Sequence, residues 1–124
     1  MITESVAEFI LGVTLDNQFG LTITVGAGGI FTELIEDKVN FFLPVSSEQI
    51  IFEISKLKMY KILKGWRGRS MGDIESLIES VRNLANFVEN YSDSLVDCEI
   101  NPLIVRSFGK KSFVADALII LKEK

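Results

Sequence analysis

The chain has 124 residues, nearly half of them apolar, which suits one domain able to bury a real core. Its 13 basic and 17 acidic residues leave a net charge of −4, which argues against non-specific nucleic-acid binding, since that rests on cationic neutralisation of phosphates. With no histidine and one cysteine, Cys98, the composition excludes Ser-His and Cys-His nucleophile pairs and any internal disulfide.

The N-terminal Met1 to Glu8 carries two glutamates and no basic residue, unlike the positive start of a signal peptide. No apolar run reaches the length of a membrane helix, so a soluble cytoplasmic domain is expected. Phe9 to Thr14 reads as a strand, ended by the turn chemistry of Asp16-Asn17-Gln18-Phe19-Gly20. Leu21 to Val25 is a second strand that runs into the glycine loop Gly26-Ala27-Gly28-Gly29. Ile30 to Ile35 reads as a third extended piece, Glu36-Asp37-Lys38 as a polar turn, and Val39 to Leu43 as a fourth strand.

After Pro44 the pattern becomes helical. Ser46 and Gln49 have the spacing of a capping box, and Ile50, Ile51, Ile54 and Leu57 follow at helical intervals. Lys64 to Gly72, which includes Trp66-Arg67-Gly68-Arg69, reads as a loop. Asp73 is the expected N-cap of the strongest helix, whose apolar face is Ile74, Leu77, Ile78, Val81, Leu84, Ala85 and Val88. Leu95 to Val105 and Ser112 to Leu121 are the last strands, joined by a turn at Phe108-Gly109-Lys110-Lys111. The order β-β-β-β-α-α-β-β predicts one α+β domain over residues 1–124, a largely antiparallel sheet packed with two helices.

Three oxygen-bearing side chains stand out on the final strands. Alternation puts Asp97, Glu99 and Asn101 on one face, and a hairpin turning near Gly109 brings Asp116 close to opposite Asn101. Two carboxylates and an amide suit a hard cation such as Mg²⁺; an exposed polar face of an edge hairpin accounts for the same spacing. The glycines of the Gly26–Gly29 loop permit close approach by a phosphate, or simply a tight turn. Arg67 and Arg69 beside Trp66 suit phosphate or carboxylate, or a solvated loop, and Glu33 lines either a site or a surface.

Several motifs then occur in order: Glu8-Phe9-Ile10-Leu11-Gly12-Val13-Thr14, Asp16 to Gly20, Val25 to Glu33, Leu63 to Arg69, and Glu99-Ile100-Asn101-Pro102-Leu103. Together they resemble the C-terminal half of the ATP-grasp domain of ADP-forming acyl-CoA synthetases, relatives of the succinyl-CoA synthetase β subunit. The resemblance implies Mg²⁺ and ATP or ADP as cofactors, with Asn101 and Asp116 as metal ligands and Glu99 in the same cluster. It implies that Gly26, Gly28, Gly29 and Glu33 face a phosphohistidine carried by another part of the enzyme, with Arg67 contacting phosphate or a neighbouring domain. Expected partners are an upstream ATP-grasp subdomain that this chain does not include, a CoA-binding domain or subunit, nucleotide, and a homodimer mate. A reading of another class is a non-catalytic assembly module that kept the fold and exposes Phe31, Phe41 and Phe42 to a partner.

Overall fold

The computed structural model describes residues 5–16, 20–28, 37–65 and 71–122. Six strands form one antiparallel sheet: β1 (Ser5–Asp16), β2 (Gly20–Ala27), β3 (Lys38–Phe42), β4 (Leu95–Arg106), β5 (Ser112–Val114) and β6 (Ala117–Leu121). Their spatial order is β3-β2-β1-β4, and both β5 and β6 pair with the far side of β4. Among the described residues three helices lie between β3 and β4 in the chain: α1 (Ser47–Ile54), α2 (Tyr60–Leu63) and α3 (Ile74–Asn90).

The helices cover one face of the sheet, because alternate strand residues are apolar. Phe9 and Leu11 of β1, Ile23 and Val25 of β2, Phe41 of β3, and Leu103 and Val105 of β4 are buried there. Ile50, Ile54, Leu63, Leu77, Val81 and Val88 meet them from the helices. Each such aliphatic side chain contributes roughly 1.5–3 kcal/mol by leaving water. The opposite face of the sheet carries the other set, including Gly12, Thr22, Thr24, Asn40, Glu99 and Asn101, and no described element covers it.

Both expected helix starts are made. Gln49 N–H donates to Ser46 Oγ and the Gln49 side chain accepts from Ser46 N–H, at 3.2 and 2.8 Å. Asp73 Oδ1 accepts from Ser76 N–H at 3.1 Å, while its Oδ2 accepts from Lys111 N–H at 2.9 Å. One carboxylate thus caps α3 and pins the turn between β4 and β5. Gly72 lets the chain pass close to the core: a Cβ there would lie 2.8 Å from Leu63 Cδ2.

The structure corrects the sequence reading in several places. The first helix ends at Ile54, so Leu57, though buried, lies just past it, and a four-residue helix follows. Asp37, expected in a polar turn, is buried, and its two oxygens accept from Lys58 N–H and Met59 N–H at 2.6 and 2.8 Å. Satisfied backbone donors make its burial tolerable. The last strand is two strands, broken at Ala115-Asp116. Phe41 is 3% exposed and so unavailable to a partner, whereas Phe42 is 58% exposed. The expected strand Ile30 to Ile35, Phe31, and the Trp66–Arg69 loop lie outside the described residues. Among the described residues no helix is long and apolar enough to cross a membrane.

Candidate metal and phosphate site

Two irregularities face each other across the β4 edge and build the site. On β4, Leu103 pairs with Phe9 and Ile100 with Leu11, so Asn101 and Pro102 together oppose Ile10 of β1. Two residues against one is a β-bulge, a feature that re-aims side chains. On the neighbouring edge the chain breaks at Ala115-Asp116. The two breaks are stitched together: Asn101 N–H donates to the Asp116 carbonyl, and Ala115 N–H donates to the Pro102 carbonyl, each at 3.0 Å. The hairpin expected from the sequence therefore does set Asn101 beside Asp116.

Glu99, Asn101 and Asp116, with Ala117 and Leu118, line an open depression of 340 Å³ on the uncovered face. Asp116 Oδ1 accepts from Ala117 N–H at 2.9 Å, which fixes the carboxylate, and Oδ2 has no hydrogen-bond partner among the described residues. Among the described residues the side chains of Glu99 and Asn101 have neither an ion-pair nor a hydrogen-bond partner. Asn101 and Asp116 are exposed and Glu99 is half-buried. Two carboxylates and an amide oxygen, held on paired strands and unneutralised by any described cation, fit a hard divalent ion that also takes phosphate or water oxygens. No group of three or more acidic, cysteine or histidine ligands occurs among the described residues.

The sequence reading missed what lies beside the cluster. Asn40, Thr24, Gly12, Glu99 and Leu118 are directly opposite one another across five successive strands. Gly12 leaves the centre of that row without a side chain, and a Cβ built there meets nothing within 4 Å. Thr24 Oγ1 donates to Asn40 Oδ1 at 2.6 Å, so the row is small and polar from β3 to Glu99. A glycine inside a strand pattern was the available signal.

The glycine loop behaves differently at its described residues. Gly26 is paired on both sides, to Ile10 and Lys38, and a Cβ there would lie 3.2 Å from Lys38 Cβ. Gly28 N–H donates to the Glu8 carbonyl at 2.8 Å. These glycines thus seat the start of the loop against β1 and β3, with the Gly28 N–H already engaged. Gly29, Glu33 and Arg67 lie outside the described residues. On the helix side of β4, burial raises the Cys98 thiol pKa above its ordinary value, and the Asp97 charge pushes it the same way.

Comparison with known proteins places this geometry. The ATP-grasp domain family matches residues 1–121. The β subunit of acetate–CoA ligase (ADP-forming) II of Pyrococcus furiosus is 36% identical over 115 residues, covering 93% of this chain and 49% of the relative. The 4-hydroxybutyrate–CoA ligase (ADP-forming) of Nitrosopumilus maritimus is 31% identical over 112 residues, 90% of this chain and 16% of that protein. The crystal structure of PH1788 from Pyrococcus horikoshii superposes with a TM-score of 0.90 at 31% identity, over 100% of this chain and 52% of that one. The dinucleotide-forming acetyl-coenzyme A synthetase 1 of Ca. Korarchaeum cryptofilum, in complex with coenzyme A and Mg-AMPPCP, superposes with a TM-score of 0.83 at 33% identity. It matches 94% of this chain and 53% of that one. The chain spans about half the length, or less, of these relatives and solved structures. With its family match and its antiparallel sheet, the chain belongs to the ATP-grasp domain family, and it is similar to part of these ADP-forming CoA ligases and of the acetyl-coenzyme A synthetase.

Proposed function

We propose that this chain is the Mg²⁺-nucleotide and phosphate-binding half of an ADP-forming acyl-CoA synthetase, which converts acyl-CoA, ADP and phosphate to acid, CoA and ATP. The observation that carries the reading is the convergence of Glu99, Asn101 and Asp116 on one depression of an ATP-grasp sheet. In this reading Asn101 and Asp116 hold the cation and Glu99 supplements them. The Mg²⁺ that these residues would hold would supply positive charge against the charge that builds on phosphate during phosphoryl transfer.

The chain's own residues do the positioning. The Asn101 N–H to Asp116 carbonyl bond locks the two ligand-bearing segments in register. Gly12 and Thr24 leave the adjoining sheet face low and polar, with room for a nucleotide to lie across it. Gly26 and Gly28 anchor the start of the loop that, through Gly29 and Glu33, would meet the phosphoryl carrier, and Arg67 would contact phosphate or the neighbouring domain. The carrier comes from elsewhere in this reading, since the chain has no histidine. The Korarchaeum complex, described with a phosphohistidine segment pointing towards its nucleotide-binding site, supports that division of labour. An ATP-grasp partner subdomain, a CoA-binding domain or subunit and a cytoplasmic location complete the proposal, and the chain alone turns nothing over.

The test is a Mn²⁺ titration of the ¹⁵N-labelled chain by NMR, with and without ADP. Broadening confined to residues around Glu99, Asn101 and Asp116, strengthened by ADP, is the expected result. Diffuse broadening, or none, would overturn the assignment of the site to this half.

A further inference from the structure

The two edges of the sheet are unlike. β3 presents Lys38 and Asn40 along its length, charge and polarity of the kind that discourages strand-to-strand association. β6 has no such protection: Ala117-Leu118-Ile119-Ile120-Leu121 contains no charge, proline or bulge. Among the described residues it pairs with β4 alone. Leu118, Ile119, Ile120 and Leu121 are each 41–49% exposed, spread over both faces.

The backbone of β6 is aimed for a further strand. The Asp116 carbonyl accepts from Asn101 N–H and Lys122 N–H donates to the Ser94 carbonyl, so the even-numbered residues bond inward. By alternation the backbone groups of Ile119 and Leu121, and the Ala117 carbonyl, point away from the sheet. Ala117 N–H is already taken by Asp116 Oδ1.

We propose that β6 pairs antiparallel with β6 of a second copy of this chain, about a twofold axis through Ile119, joining the two sheets into one. The charges that flank the apolar run select this occupant and this register. Asp116 stands three residues before Ile119 and Lys122 three after it, so the axis sets each Asp116 opposite the other copy's Lys122. The same register makes Ile119 bond reciprocally with its mate and brings each Leu121 N–H to an Ala117 carbonyl. It also stacks Leu118 on Ile120 across the axis on the open face, the cross-strand apolar pairing that stabilises sheets. Such an isologous contact closes on itself and stops at two copies.

The dimer shares Asp116 with the proposed cation site but does not depend on that site, and its test uses neither metal nor nucleotide. Sedimentation equilibrium of the whole chain up to millimolar concentration should show a monomer–dimer equilibrium. Lys122→Asp sets like charges opposite each other at both ends and should raise the dimer Kd about tenfold or more. Asp116→Lys combined with Lys122→Asp restores opposite charges and should return Kd to within about threefold of the original. Ile119→Lys should abolish the dimer while circular dichroism shows the fold intact. A chain that stays monomeric would overturn the proposal and leave β6 to an element of another chain. So would a dimer indifferent to Lys122→Asp.

Discussion

Gly12→Val separates the fold from the proposed ligand surface. Gly12 lies mid-strand, paired to Thr24 on one side and Glu99 on the other, and a Cβ there has nothing within 4 Å. Its backbone is not in the left-handed region, so a side chain brings no strain. Glycine inside a strand costs about 0.5–1 kcal/mol relative to alanine, and valine is among the best strand formers. The substitution should therefore raise unfolding free energy by about 0.5–1 kcal/mol, read as a higher urea midpoint at unchanged slope. The same isopropyl group stands up from the low strip that a nucleotide would cross. Local Mn²⁺ broadening at Asn101 and Asp116 should persist, because their bulge and hairpin are untouched, while the strengthening by ADP should disappear. A loss of stability above about 1 kcal/mol would show that something packs over Gly12. An undiminished ADP effect would refute the placement of nucleotide on this face.

Asp73→Ala removes the α3 cap and strands Lys111 N–H, so it should cost about 2 kcal/mol in urea unfolding; a cost under about 0.5 kcal/mol would deny the pinning role. Asp116→Asn should weaken Mn²⁺ binding at least about tenfold, the low end of what even an outer-shell partner is worth, with the backbone bond to Asn101 retained in amide exchange. Cys98 ionises less readily folded than unfolded, so its contribution is whole below the unfolded thiol pKa of about 8.5 and is lost as pH rises through the raised folded value. Unfolding free energy should fall across that alkaline window, and Cys98→Ala should flatten the fall; an unchanged slope would assign the pH dependence to other groups.

Much of the architecture is legible in local pattern. Strand alternation in Ile23-Thr24-Val25, the capping box of Ser46 and Gln49, and the Leu77-Val81-Leu84-Val88 stripe each specify an element through contacts within a few residues, and each appears as read. The pairing of Asn101 with Asp116 was also readable, because a short hairpin fixes register through its turn.

What lay beyond the sequence depends on contacts distant in the chain. Asp37 looks like a turn residue until Lys58 and Met59 donate to it from more than twenty positions away. Phe41 and Phe42 are identical in composition terms, and only the side of the sheet on which the helices settle buries one and exposes the other. The break that splits β5 from β6 answers a bulge on β4, and neither is visible without the partner strand. The amino-acid order by itself determined the first two strands, the start of each long helix, the stripe of the longest one and which oxygen-bearing side chains share the last hairpin, since those follow from periodicity, capping and turn chemistry. Tertiary structure alone decided that Gly12 opens the sheet beside Glu99 and that β6 is an edge among the described strands, because strand order and layer packing are set by the whole core at once.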